Sequence, residues 1–162
     1  MSAYLAPLGV IVVMASLAWI VSVLIEDVSF VDSLWSLFFL AAAVTFGVVS
    51  GFDTPRAILV LVLVAVWAVR LSLHITLRNW GEPEDYRYQQ IRANNEPGFV
   101  VKSFYIVFGL QGLLAWIVAV PLLPAIASTA ALGVLDYLAI ALWLTGFFFE
   151  AVGDYQLSRF KA

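Results

Sequence analysis

Five stretches of this chain are long and apolar enough to cross a lipid bilayer, and that constrains its fold more than any other feature. They cover residues 4–25, 30–50, 57–77, 103–122 and 135–152. A spanning helix needs about 20 mostly apolar residues, because each residue rises about 1.5 Å through a hydrocarbon layer about 30 Å thick. No water is available there to pair with open backbone groups. Each run must therefore satisfy its own N–H and C=O groups as a helix. The expected fold is all-α: a polytopic membrane helical bundle of about five transmembrane helices, forming a single transmembrane domain over 1–162. Composition agrees, with 64% hydrophobic and 12% charged residues, where soluble domains carry about 25% charged residues. The first run has no positive region before it and is of spanning length, so it reads as a retained helix rather than a signal peptide.

The same composition excludes several functions. Cysteine is absent and there is one histidine, His74, so a disulfide, a thiolate metal site or a multi-histidine metal site within one chain is ruled out. The net charge of −3 and the lack of a basic tract argue against a nucleic-acid partner.

The one long polar segment is 78–102, RNWGEPEDYRYQQIRANNEPGFVVK. It lies between the third and fourth runs and reads as a loop. With five spans, it shares a side of the membrane with Glu26, Asp27 and the C-terminal end. That side holds Arg78, Arg87, Arg92, Lys102, Arg159 and Lys161, and the opposite side holds Arg56. The excess of Lys and Arg places the 78–102 segment and the C-terminus in the cytoplasm and the N-terminus outside. The expected location is a cell membrane, the inner one in a bacterium, crossed several times.

Polar residues within the apolar runs are the candidate functional groups, since a charge at mid-bilayer costs about 2.5–3.5 kcal/mol and usually faces a protein interior. Arg70, His74 and Arg78 are spaced by four, with Trp67 three residues before Arg70, so they share one face of the third helix. They form either a polar wall for a substrate oxygen or phosphate, or arginines snorkelling toward headgroups. Asp32, in the first turn of the second run, is either a site carboxylate or a charge favoured by the helix dipole. Gln111 between Gly109 and Gly112 reads as glue between closely packed helices. Glu150, Asp154 and Ser158 are again spaced by four, with Lys161 beyond. This face could take ribose hydroxyls and phosphate, or it is an ordinary polar helix end.

Four segments in order, VDSLWSL (31–37), WAVRLSLHITLRNWGEPEDYRYQ (67–89), FYIVFGLQGLLAWIVAVPL (104–122) and FFFEAVGDYQLSRFK (147–161), resemble the steroid 5-alpha-reductase superfamily. The similarity is greatest to its bacterial branch labelled 3-oxo-5-alpha-steroid 4-dehydrogenase-like. The resemblance implies an α-helical membrane reductase that uses NADPH to reduce an activated C=C bond in a lipid or steroid-like substrate. It implies catalytic roles for Asp32 and, in place of a family tyrosine that the third helix lacks, for Arg70 or His74. It implies cofactor contacts for Asp154, Glu150, Lys161 and Arg78. Relatives also continue into further helices with an asparagine–tyrosine segment that completes the cofactor cleft. The expectation is therefore that 1–162 is the N-terminal portion of a longer domain and inactive alone. Two other readings stay open: a membrane methyltransferase of the isoprenylcysteine carboxyl type using S-adenosylmethionine, and a non-enzymatic helical scaffold.

Overall fold

A computed structural model of the chain describes residues 2–161, the Lys161 side chain excepted. Among these residues every regular element is a helix. The order is α1 Ser2–Ile25, α2 Phe30–Ser50, α3 Pro55–Asn79, α4 Tyr86–Asn95, α5 Phe99–Ser103, a π-helical segment Phe104–Gly109, α6 Leu110–Ala119, α7 Leu122–Ile126 and α8 Val134–Lys161. The α5, π and α6 segments run on as one span, Phe99–Ala119. With α1, α2, α3 and α8 it makes five helices long and apolar enough to cross a membrane. The protein is a multi-pass integral membrane protein.

The chain divides into two compact units, residues 1–128 and 129–162. The first is organised around α2, which packs against α1, α3, α6 and α7. Its inward residues Val31, Phe38, Ala42, Ala43 and Phe46 are fully buried. Lipid tails are as apolar as leucine, so these helices gain little from merely hiding apolar surface. Close approach through small residues takes over that role. Ala15, Ala18 and Ser22 on α1, Ala68 on α3, and Gly112, Ala115 and Ala119 on α6 are all buried. A Cβ on Gly112 would stand 3.1 Å from Ile11 Cγ2. Ser36 Oγ donates to the Ala68 carbonyl at 2.8 Å, a buried tie from α2 to α3. The outer residues of α1, among them Leu5, Val13, Leu17 and Leu24, are exposed and suit contact with lipid tails.

Several boundaries differ from the sequence reading, among them the span expected over 103–122, which runs Phe99–Ala119 and is followed by α7. The third helix starts at Pro55, where Thr54 accepts from Ala57 N at 3.1 Å and proline sits in the first turn, a favoured helix start. The helix of 129–162 continues past residue 152 to Lys161, because GDYQLSRFK has no proline and keeps an i, i+4 polar face. The polar segment is not a plain loop. Asp85 caps α4 by accepting from Arg87 N at 2.9 Å, and the helix ends two residues before Pro97, leaving Glu96 extended, as a residue before proline prefers.

An ion pair within the polar segment also ties it to the α1–α2 turn by hydrogen bonds to the Val28 N–H and the Glu26 carbonyl. Glu84 accepts from Arg92 Nη2 at 2.8 Å and Nε at 3.1 Å, and from the Val28 backbone N–H at 2.9 Å. Arg92 also lies 4.7 Å over the Phe99 ring. The Glu84 side chain is 12% exposed and that of Arg92 31%, so this pair is shielded more than a surface one.

This architecture can be tested in two ways. Glu84→Ala strands Arg92 and the Val28 N–H together, and should cost about 2–3 kcal/mol, read as a Tm lowered by about 5–10 °C in detergent. Because cysteine is absent, single cysteines report sidedness. The charge bias predicts that a membrane-impermeant maleimide labels Asp53→Cys in whole cells and labels Gln90→Cys only after permeabilisation.

Candidate functional site

Four segments distant in sequence deliver polar side chains to one cleft in the first unit. Asp32 comes from the first turn of α2, Arg78 from the last turn of α3, Arg87 and Tyr88 from the first turn of α4, and Gln111 from the first turn of α6. The cleft measures about 480 Å³, and Trp35, Ile75 and Leu114 supply its apolar walls.

Gln111, Tyr88, Asp32 and Arg87 form a single chain of hydrogen bonds, and Arg78 Nε donates instead to Asn79 Oδ1 at 3.1 Å. Gln111 Nε2 donates to the Tyr88 hydroxyl at 2.9 Å. Tyr88 in turn donates to Asp32 Oδ1 at 2.5 Å. Asp32 Oδ2 accepts from Arg87 Nη2 at 2.8 Å. Arg87 also forks onto Asp85, with Nε to Oδ1 at 3.0 Å and Nη2 to Oδ2 at 3.2 Å. Tyr88 is the one buried residue of α4, 6% exposed. Asp32 is 19% exposed and Arg87 63%, so the network runs from a dry interior to an open rim. Gln111 Oε1 is buried without a hydrogen-bond partner among the described residues. A buried acceptor left open is costly, and this one borders the cleft.

The titration behaviour is a consequence of this placement. Burial, and then the bond to the Asp32 carboxylate, push the Tyr88 phenol well above its ordinary value. It remains a neutral donor at physiological pH. The Arg87 guanidinium hydrogen-bonded to Asp85 holds that carboxyl below its ordinary value, and Asp85 pushes Arg87 up in return.

Asp32 and Arg78, both picked out from sequence, line this cleft together. Arg70 lines a different, shallow apolar depression with Ala65, Val66, Val69 and Leu73. His74 is half-buried on α3, and α3 reaches the cleft through Ile75 and Arg78. Glu150 and Asp154 are half-buried on one face of α8, in the second unit. Ser158 Oγ donates to the Asp154 carbonyl at 2.8 Å. Lys161 ends the helix, and its side chain is outside the described residues.

Sequence reasoning missed Tyr88 and Arg87 as site residues and assigned Gln111 to packing. One signal was available. Asp85 is a helix N-cap type, and Tyr88 and Ile91 come after it at spacings of three, which marks an apolar face on a short helix.

The family described as protein of unknown function (DUF1295) matches residues 18–162. The chain belongs to the DUF1295 family. No curated protein and no solved structure matches it. The matched stretch contains every residue of the cleft and the Glu150–Asp154 face of α8.

The cleft makes a prediction about pH. The folded phenol is raised above its ordinary value of 10.0, so folding stability carries the full Tyr88 contribution below pH 10. It declines above that, because the unfolded chain releases a proton that the folded chain keeps. Denaturation measured across this range should show an alkaline loss that is shallower in Tyr88→Phe. An unchanged slope would mean that Tyr88 is not held neutral by the fold.

Proposed function

We propose that this protein is a membrane-embedded reductase that uses NADPH to reduce an activated C=C bond in a lipid or steroid-like substrate. The observation that carries this reading is the Gln111–Tyr88–Asp32 network at the polar end of a cleft with apolar walls. A polar acid beside an oily slot is what reduction of a conjugated lipid carbonyl requires. The resemblance of the 67–89 and 147–161 segments to the steroid 5-alpha-reductase superfamily supports it independently.

NADPH, when bound, supplies a hydride to the β-carbon of the conjugated system. Charge then develops on the carbonyl oxygen, and this chain's task is to neutralise it. Tyr88, kept protonated by burial, is the hydrogen-bond donor suited to that oxygen once its one proton turns from Asp32 to the substrate. Gln111 Nε2 holds the phenol oxygen in place, and Asp32 accepts the phenol proton until a substrate oxygen replaces it as acceptor. Arg87 balances the Asp32 charge, so the carboxylate does not repel the developing anion. Preorganised donors of this kind gain strength where water is excluded.

The residues present are chemically suited to the cofactor. The exposed Arg78 guanidinium offers a cation for phosphate. The open Gln111 Oε1 offers an acceptor for a carboxamide N–H. Glu150 and Asp154, the carboxylates expected from sequence to meet ribose hydroxyls, belong to the second unit. Arg70 and His74 remain candidates for polarising the substrate.

The intact protein in proteoliposomes provides the test. Enone-dependent NADPH oxidation should be measurable, and Tyr88→Phe should lower kcat by about 100-fold with KM little changed. Binding of S-adenosylmethionine without binding of NADPH would replace the reductase reading with a methyltransferase one.

A further inference from the structure

A second site lies between α1 and the span Phe99–Ala119, away from the Asp32 cleft. Its two ends differ in character. Near the α1–α2 turn is a cleft of about 510 Å³ lined by Ser22, Glu26, Arg92, Phe99 and Ser103 among others. Farther along the same helix pair is an apolar pocket of about 250 Å³, bounded by Leu8, Ile11, Val12, Phe104, Phe108 and Leu113. From Ser22 to Val12 is ten residues of α1, about 15 Å at the helical rise. Trp19 stands between them, 5.3 Å edge-on from Phe104, with its Nε1 donating to the Val100 carbonyl at 3.0 Å. Tryptophan prefers the depth where headgroups meet tails.

The polar end is built for both charges. Arg92 uses Nε and Nη2 on Glu84 and the Glu26 carbonyl, which leaves Nη1 without a hydrogen-bond partner among the described residues. The Glu26 side chain is exposed and makes no hydrogen bond or ion pair among the described residues. Its backbone sits at φ 58°, in the left-handed region, where it closes α1 through the bond from Asp27 N to the Ser22 carbonyl at 3.1 Å. Glycine takes this position without strain, whereas a residue with a Cβ is disfavoured there. A glutamate where glycine fits better is strain at a cleft, which points to use of the carboxylate.

Charge decides the ligand. The charged residues that line the cleft are one carboxylate, Glu26, and one guanidinium, Arg92, so a purely anionic headgroup meets an opposing charge as well as a matching one. A zwitterion fits, with ammonium toward Glu26 and phosphate toward Arg92 Nη1. A primary ammonium brings three N–H donors for the carboxylate, and a quaternary one brings none. We propose that this groove binds a zwitterionic aminophospholipid with a primary amine, its headgroup in the Glu26–Arg92 cleft and an acyl chain in the apolar pocket. Because Arg92 holds α4 and α4 carries Tyr88, a lipid there also braces the other cleft.

The intact protein, stripped of lipid in detergent, is titrated with phosphatidylethanolamine, phosphatidylcholine, phosphatidylglycerol and water-soluble glycerophosphoethanolamine. Tm and native mass spectrometry are the readouts. Phosphatidylethanolamine should raise Tm and survive as a bound adduct, at least about tenfold tighter than the other lipids. Glycerophosphoethanolamine should bind weakly. Glu26→Gln should remove the preference for the primary amine. Glu26→Gly should remove it too while raising the lipid-free Tm, which separates lost recognition from lost folding. Val12→Trp should weaken every diacyl lipid and leave the order of preference unchanged. Equal protection by all lipids, preference for phosphatidylglycerol, or an unchanged preference in both Glu26 variants would overturn the proposal.

Discussion

The ion pair between Glu84 and Arg92 holds together what the bilayer would otherwise keep apart. Helices in lipid are stable one by one, since each satisfies its own backbone. What is not guaranteed is where a polar connecting segment lies. Here Glu84 binds Arg92 and the Val28 N–H together, so the connector is pinned to the α1–α2 turn. That anchorage, with the bonds of Arg87 and Tyr88 to Asp32, sets α4 beside the start of α2. Tyr88 then meets Asp32, and Arg87 meets the other oxygen of the same carboxylate.

The two clefts lie on either side of that anchorage and use its charges differently. In the Asp32 cleft the carboxylate pairs with Arg87 and accepts from a neutral phenol, and the open group is the neutral acceptor Gln111 Oε1. The groove along α1 presents one carboxylate and one guanidinium, with Glu26 projecting where glycine would close the helix more easily. A neutral, hydrogen-bonded polar end suits uncharged polar groups on an oily molecule. One that holds a carboxylate and a guanidinium together suits a headgroup carrying both signs of charge. α4 serves both, because Tyr88 and Arg92 are four residues apart, just over one helical turn.

Small residues made this compactness possible. Ala15, Ala18, Ala42, Ala43, Ala68, Gly112, Ala115 and Ala119 are all buried, and they let backbones come close where hydrophobic burial gives little advantage. The π-helical segment Phe104–Gly109 belongs to the same span. It flanks the apolar pocket and lies just before Gln111. An extra residue in a helical turn rotates the next turn about the helix axis, and Gln111 is in that turn.

Apolar run lengths settled the spans in advance, since hydrocarbon thickness and helical rise leave little choice for 30–50 or 57–77. Asp32 and Arg78 were legible as candidates because charge near a spanning run is expensive. Tyr88, Arg87 and Gln111 were not legible as a set, because no local pattern says that residues 55 and 23 positions apart will exchange hydrogen bonds. The i, i+4 spacing of Arg70, His74 and Arg78 correctly put them on one helix, yet adjacency along a helix does not determine which of them faces a cleft. That depends on how α3 is rotated against α2, where Phe39 meets Trp67 and Ser36 meets Ala68. Sequence alone determined the helical, membrane-spanning character, because the solvent each segment requires dictates it. Tertiary packing decided the site, because long-range hydrogen bonds depend on the angle and depth at which neighbouring helices meet.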